Sequence, residues 1–160
     1  AARKAKELGA TSLLVLPGIA GWDVMRAIAE DDEIALPIMA HPAFVGSLVT
    51  SPTQGLSHAI VFSQLARIAG ADITIFPNFG GRFGFSQEQC LSIAHAARAP
   101  LGELKPAWIS PAGGMSPDRI GEMIDAYGQD TACLVGGALH RGDLFTNSRE
   151  MVELLHGYES

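Results

Sequence analysis

The stretch Ala107-Trp108-Ile109-Ser110-Pro111-Ala112-Gly113-Gly114 decides how the chain is read. A short apolar run ends in a glycine doublet. Ser116-Pro117 just beyond supplies a helix N-cap and a first-turn proline. Ile120, Met123, Ile124 and Tyr127 then share one stripe of a helix that Gly128 stops. The pattern starts again at once: Thr131-Ala132-Cys133-Leu134-Val135 is a further apolar run, and it too ends in a doublet, Gly136-Gly137. Strand, glycine-rich loop, helix and strand predict a parallel pair joined by a right-handed crossover.

Upstream the same order recurs. Ser12–Leu16 and Leu36–Ala40 read as strands, the first followed by a helix from about Trp22 to Glu30. A long loop after His41-Pro42 leads to a helix from about Leu56 to Ala69, stopped by Gly70. Asp72–Phe76 is the third run, and Ser86 with Gln89 forms a capping box for the helix beyond it. A last helix starts near Ser148 and carries Met151, Leu154 and Leu155. The strand runs are apolar throughout, as in parallel strands covered on both faces. Two architectures satisfy this α/β pattern: an open doubly wound sheet, or part of a (β/α)8 barrel, which needs eight strands and typically ~250 residues. The N-terminal Ala1–Leu8 reads as helix interior with no entry cap, so the expectation is a piece of something longer.

Composition narrows the class. Of 160 residues, 48% are hydrophobic and 18% charged, which is globular rather than disordered. A net charge of −6 without a basic stripe argues against nucleic acid as a partner. No apolar stretch is long enough to span a bilayer, and no signal peptide is visible. Cys90 and Cys133 sit in apolar patterns and read as inert thiols, so cytoplasm is the expected compartment.

In either architecture ligands bind beyond the C-terminal ends of the strands. Gly113-Gly114 and Gly136-Gly137 stand at equivalent ends of consecutive runs. Successive backbone N–H groups there favour an anion, and a phosphate commonly sits at the last two loops of a barrel. Single glycine doublets more often just make turns. His41 is held to the strand end by the proline after it, where an imidazole exchanges protons near neutrality or is simply hydrogen-bonded within the mouth. Arg82, on the hinged Gly80-Gly81-Arg82-Phe83-Gly84, has the form of a cation on a lid or of a solvated loop residue. Asn78 on the same loop is placed to reach a substrate hydroxyl or to cap a turn. His140 and Arg141 follow the second doublet and either add charge or stand exposed. Glu30-Asp31-Asp32-Glu33 lies on the opposite, stability face and reads as a solvated acidic turn, not a metal cluster. His58 and His95 fall within helices and read as structural.

Taken in order, these features resemble the RuBisCO superfamily, most of all the RuBisCO-like proteins (form IV). Leu36–Ala43 looks like the fifth barrel strand of the RuBisCO-like enolases of methionine salvage. Gly70–Arg82 looks like the sixth strand and its mobile loop, Pro111–Met115 like the seventh strand end, and Val135–Leu139 like the eighth. The similarity runs from about Leu8 to Leu155. It implies strands 4–8 of a TIM barrel across residues 1–160, with the N-terminal domain and the first barrel strands outside them. By position, His41 matches a histidine beside a metal-bound substrate. Arg82 stands where true RuBisCO has its mobile-loop lysine. Gly113, Gly114, Gly136 and Gly137 match backbone phosphate ligands.

Departures matter equally. Pro42 and Val45 replace an arginine and a histidine of the carboxylases, and a sixth-strand histidine is replaced near Ile75. Arginine does not simply stand in for the loop lysine. The resemblance also implies Mg2+, with its carbamylated lysine and acidic ligands on the second strand, so no metal ligand is expected among these residues. The expected activity of the intact protein is therefore that of a lyase or isomerase forming a Mg-stabilised enediolate on a phosphorylated ketose or keto acid. Two chemistries fit: decarboxylation of a sugar-acid phosphate of the 3-oxo-isoapionate 4-phosphate type, or enolisation of the methionine-salvage diketone phosphate. The Gly80-Gly81-Arg82 loop tilts the reading slightly to the first. A true ribulose-bisphosphate carboxylase, a non-catalytic phosphate-binding fragment and an unrelated open-sheet protein are the alternatives. The segment alone is expected to be inactive and to self-associate, and the whole protein to be a homodimer or larger homo-oligomer.

Overall fold

The computed structural model describes residues 1–51 and 53–158. In chain order it contains α1 (Ala2–Glu7), β1 (Leu13–Val15), α2 (Pro17–Ala20), α3 (Trp22–Ala29), β2 (Ile38–Ala40), a short 3-10 turn (Gly46–Leu48), a π-helical segment (Ile60–Gln64) running into α4 (Leu65–Ile68), β3 (Ile73–Pro77), α5 (Gln87–Arg98), β4 (Trp108–Ala112), a 3-10 turn (Pro117–Arg119) running into α6 (Ile120–Tyr127), and α7 (Leu144–His156). None of the described helices is long and apolar enough to cross a membrane.

The sheet is parallel with strand order β1-β2-β3-β4. A doubly wound sheet reverses its strand order at a switch point. Here each new strand is laid beside the previous one without reversal, which is how an arc of a (β/α)8 barrel is wound. The longest register runs from Ile73 opposite Trp108 to Pro77 opposite Ala112, so β3 and β4 end level with one another. Their two following loops therefore start side by side.

The fifth run, expected as a strand over Thr131–Val135, makes one bridge among the described residues, Thr131 with Ile109, in which the Ala132 amide donates to the Ile109 carbonyl at 2.8 Å. It lies on the sheet's outer edge, and Leu134 remains 38% exposed. The last helix begins at Leu144 rather than near Ser148. Asp143 caps it, accepting from the Thr146 amide at 2.8 Å. The helix expected from about Leu56 starts two residues later; the Ser57 hydroxyl accepts from the Ile60 amide at 3.3 Å. The Ser86/Gln89 capping box forms as read. Ser116 sits at its cap position with an extended backbone but makes no cap bond; its hydroxyl is engaged with Asp118.

Two apolar clusters hold the layers together. Phe76, Cys90, Ile93, Ile109, Ile120, Met123 and Tyr127 pack between β3–β4 and the helices α5–α6. Val15, Met25, Ile38, Ala40, Ala66 and Ala69 do the same between β1–β2 and α3–α4. Burial pushes the Cys90 and Cys133 thiols up, which suits inert packing groups. The acidic turn after α3 is tied to α1: Arg3 reaches Asp31 at 2.8 Å and Glu33 at 2.9 Å, and the Arg3 bond holds the Asp31 carboxyl below its ordinary range.

Among the described residues the buried polar side chains are matched, except the Ser63 hydroxyl, which has no hydrogen-bond partner. Arg67 is 3% exposed, and its guanidinium donates to the carbonyls of Ala96, Ala99, Leu104 and Lys105. It closes the loop between α5 and β4 from below. The Tyr127 hydroxyl donates to the Asn78 side-chain carbonyl. Two outcomes follow for urea unfolding of the protein. Tyr127→Phe leaves that buried oxygen unpaired and lowers stability by about 1–3 kcal/mol. Arg67→Met strands several carbonyls at once and costs more, at least about 3 kcal/mol. Equal, near-zero effects of both would show that neither network supports the fold.

Candidate active site

The loops following β2, β3 and β4, with the segment after Thr131, surround two adjoining cavities. One, of about 460 Å3, is lined by Arg82, Gly113, Gly114, Met115, Ser116, Leu134, Gly136, Gly137, Ala138 and Arg141. The other, of about 490 Å3, is walled by His41, Pro42, Phe44, Phe62, Ile75, Phe83, Phe85 and Leu134 among others. Arg82, Gly113 and Leu134 belong to both. The first is glycine-lined with two guanidinium groups at its edge. The second is mostly apolar, with one imidazole and the shared Arg82.

All four glycines read from the sequence line the first cavity. Among the described residues, none of their amides donates to a protein acceptor. The two doublets differ in what fixes them. Gly113 and Gly114 both have φ +89, where an L side chain is strained. A Cβ at Gly113 would also come within 2.6 Å of the Phe83 ring, and one at Gly114 within 3.0 Å of the Arg82 amide nitrogen. Gly136 and Gly137 have open space around the Cβ position.

His41 stands half-buried at the end of β2, its amide donating to the Val15 carbonyl at 2.8 Å. The Ala43 amide donates to His41 Nδ1 at 3.2 Å. An acceptor Nδ1 puts the proton of the neutral ring on Nε2, which makes that nitrogen a donor. Arg82 is exposed and makes no ion pair among the described residues. Its guanidinium carbon lies 5.0 Å from the Phe83 ring centre, and its amide donates to the Gly113 carbonyl at 3.0 Å.

Asn78 departs from its expected place. It is 0% exposed; besides accepting from Tyr127, it donates from Nδ2 to Met115 Sδ at 3.4 Å, and it lines neither cavity. Its side chain belongs to the core beneath the loop and caps no turn. Burial pushes the Tyr127 hydroxyl far up, so that group remains a donor. Sequence reading missed Arg119. It donates to the Phe79 carbonyl at 3.0 Å, pairs with Glu122 at 2.8 Å and stacks 5.9 Å from the Phe79 ring. It thus fastens the base of the Arg82 loop to the start of α6. No local motif marks it, because its partner lies 40 residues away.

Magnesium takes oxygen ligands, usually carboxylates. Neither cavity is lined by an aspartate or glutamate. These residues therefore do not fit a magnesium site, and the chemistry derived for them runs through none.

No protein-family model matches the chain. Over 139 residues it is 40% identical to the 2,3-diketo-5-methylthiopentyl-1-phosphate enolase of Bacillus velezensis, covering 87% of this chain and 34% of the relative. It is 36% identical, over 87% of this chain and 32% of the relative, to a ribulose bisphosphate carboxylase-like protein of Archaeoglobus fulgidus. A 5-methylthioribulose-1-phosphate isomerase of Rhodospirillum rubrum is 40% identical over 82% of this chain and 33% of its own length. The chain thus spans about a third of the curated relatives it matches. Among solved structures, the rubisco-like protein MtnW of Alicyclobacillus acidocaldarius superposes with TM-score 0.90 at 35% identity, over 99% of this chain and 40% of that one. The octameric RuBisCO of Pyrococcus horikoshii, at 19% identity, shares the fold with TM-score 0.88 over 99% of this chain and 38% of that one. The sequential parallel arc is therefore the C-terminal part of a RuBisCO-type barrel, and the chain belongs to the RuBisCO superfamily, among the RuBisCO-like proteins.

Proposed function

We propose that the whole protein carrying this chain enolises a diketone phosphate of methionine salvage, with these residues holding the substrate's phosphate and its apolar end. The observation that carries this reading is the pair of contiguous cavities, one glycine-lined with two arginines, the other apolar. A 2,3-diketo-5-methylthiopentyl phosphate has that polarity: one phosphoryl group, a polar diketone centre and an uncharged thioether end. The relatives named for the diketone phosphate and for 5-methylthioribulose 1-phosphate support it, since both compounds carry a phosphate and a methylthio group.

In this reading the amides of Gly113, Gly114, Gly136 and Gly137 bind the phosphate, and Arg82 and Arg141 add charge at its edge. Enolisation takes a proton from the carbon beside a carbonyl and builds negative charge on the carbonyl oxygen. His41 lines the apolar cavity and Arg82 lines both, so the diketone centre between the two ends lies within reach of their donors. His41 Nε2–H then donates to that oxygen; to act as base it would have to give up the Ala43 bond. Magnesium, and the residues that would hold it, belong to parts of the protein beyond these 160 residues, so this segment alone is inactive. The protein acts in the cytoplasm as a homo-oligomer.

The apolar cavity weighs against the other chemistries. A second phosphate or a sugar-acid carboxylate would be desolvated among Pro42, Phe44, Phe62, Ile75 and Phe85, with Arg82, shared with the glycine-lined cavity, as the one guanidinium on its wall. The glycine-hinged Arg82 loop remains the one feature favouring sugar-acid decarboxylation.

Two experiments test this. The whole protein with Mg2+ is expected to turn over the methylthio diketone phosphate and to leave ribulose bisphosphate and a 3-oxo sugar-acid phosphate unchanged; the reverse selectivity overturns the reading. Inorganic phosphate, titrated as a competitor of that turnover, is expected to bind about tenfold more weakly after Arg82→Ala, and again after Arg141→Ala. Unchanged inhibition in both variants removes the arginines from the phosphate site.

A further inference from the structure

Phe44 is the one large residue of the mouth held in an unfavourable backbone. Its φ is +66, a region that residues with a Cβ seldom enter, and the residue is 76% exposed. An aromatic residue gains nothing for the fold from such a position. Yet its surroundings fix it there from three sides. The Ala43 amide before it is held by His41 Nδ1 at 3.2 Å. The Val45 amide after it donates to the Pro42 carbonyl at 3.4 Å, closing the turn. The short helix α2 backs it at Gly18, where a Cβ would lie 3.0 Å from the Phe44 Cβ. Strain that neighbouring groups enforce in this way gathers at binding sites.

The ring nevertheless lines the apolar cavity, together with Phe83 and Phe85. Phe62 and Phe85 pack against each other at 5.4 Å between ring centres, with His58 4.7 Å from Phe85, so the inner wall is braced. Phe44 is unbraced by any aromatic contact among the described residues and stands at the cavity's rim.

We propose that Phe44 is a specificity-determining residue: its ring is held out by the His41–Ala43 turn to close the outer wall of the apolar cavity over the substrate's uncharged end. This rests on the enolase reading above and adds to it the residue that measures the apolar end. The same turn fixes the imidazole proton and aims the ring, so the position of the reacting centre and the choice of substrate are set together.

The test uses the whole protein with Mg2+, the methylthio diketone phosphate, and an analogue in which hydrogen replaces the methylthio group. Phe44→Ala is expected to raise KM for the thioether substrate about tenfold, with kcat within about twofold and KM for the analogue unchanged. Phe44→Leu restores most of the loss. An equal KM rise on both substrates, a fall in kcat alone, or no change would overturn the proposal while leaving the enolase reading in place. Wild-type inactivity on both substrates would overturn that reading and this inference with it.

Discussion

The close approach of the Arg82 loop to Gly113 is the contact on which the site depends. Gly113 has no Cβ, and the Phe83 ring occupies the space one would need. Its carbonyl takes the Arg82 amide, which docks the third-strand loop onto the fourth. Because β3 and β4 end level, this one contact makes Arg82 and Gly113 common to both cavities. A side chain at position 113 would push the loops apart and turn one two-part site into two unrelated pockets.

Beneath that contact lies a polar core that keeps the loop's base from shifting. Asn78 is locked between Tyr127 on α6 and Met115 on the following loop, while Arg119 holds the Phe79 carbonyl. Fully buried amides of this kind tolerate little displacement, since each lost partner costs on the order of 1–3 kcal/mol. The loop thus rises from a rigid base, and beyond Phe79 it is held by the Gly81 and Arg82 amides, which donate to the Asn78 and Gly113 carbonyls.

Much of this was legible in the residues. The apolar runs, the glycine doublets and the capping box located all four strands within about two residues of each end, and His41, Arg82 and all four glycines do share one mouth. What local pattern conceals is direction and distance. Asn78 reads as a loop polar group, but whether it faces solvent or the core depends on Tyr127, 49 residues on. Arg119 looks like an ordinary first-turn cation because its carbonyl partner is remote in sequence. Phe44 gave no signal, since a positive φ at a phenylalanine follows from the turn around it and not from its own preference. The π-helical segment over Ile60–Gln64 was equally silent; it places the Phe62 carbonyl against the Thr74 hydroxyl, a pairing only the folded chain defines.

The fifth run explains how a loop can be ordered where a strand is not. An apolar run forms a ladder only where its successive backbone groups line up with those of a neighbouring strand. Here the inner side is joined by one bridge and by the Ser110 hydroxyl, which donates to the Ala132 carbonyl at 2.9 Å. On its outer side no strand pairs with it among the described residues. The loop that follows is instead held from its far end. Asn147 of α7 donates to the carbonyls of Leu139 and Arg141, at 2.9 and 2.8 Å, and Asp143 caps the same helix. Side-chain bonds from a helix thus replace the missing strand bonds in setting where Gly136, Gly137 and Arg141 stand. The first doublet is fixed by its own backbone and the second by what α7 does to it, so the two glycine pairs of one cavity answer to different parts of the fold.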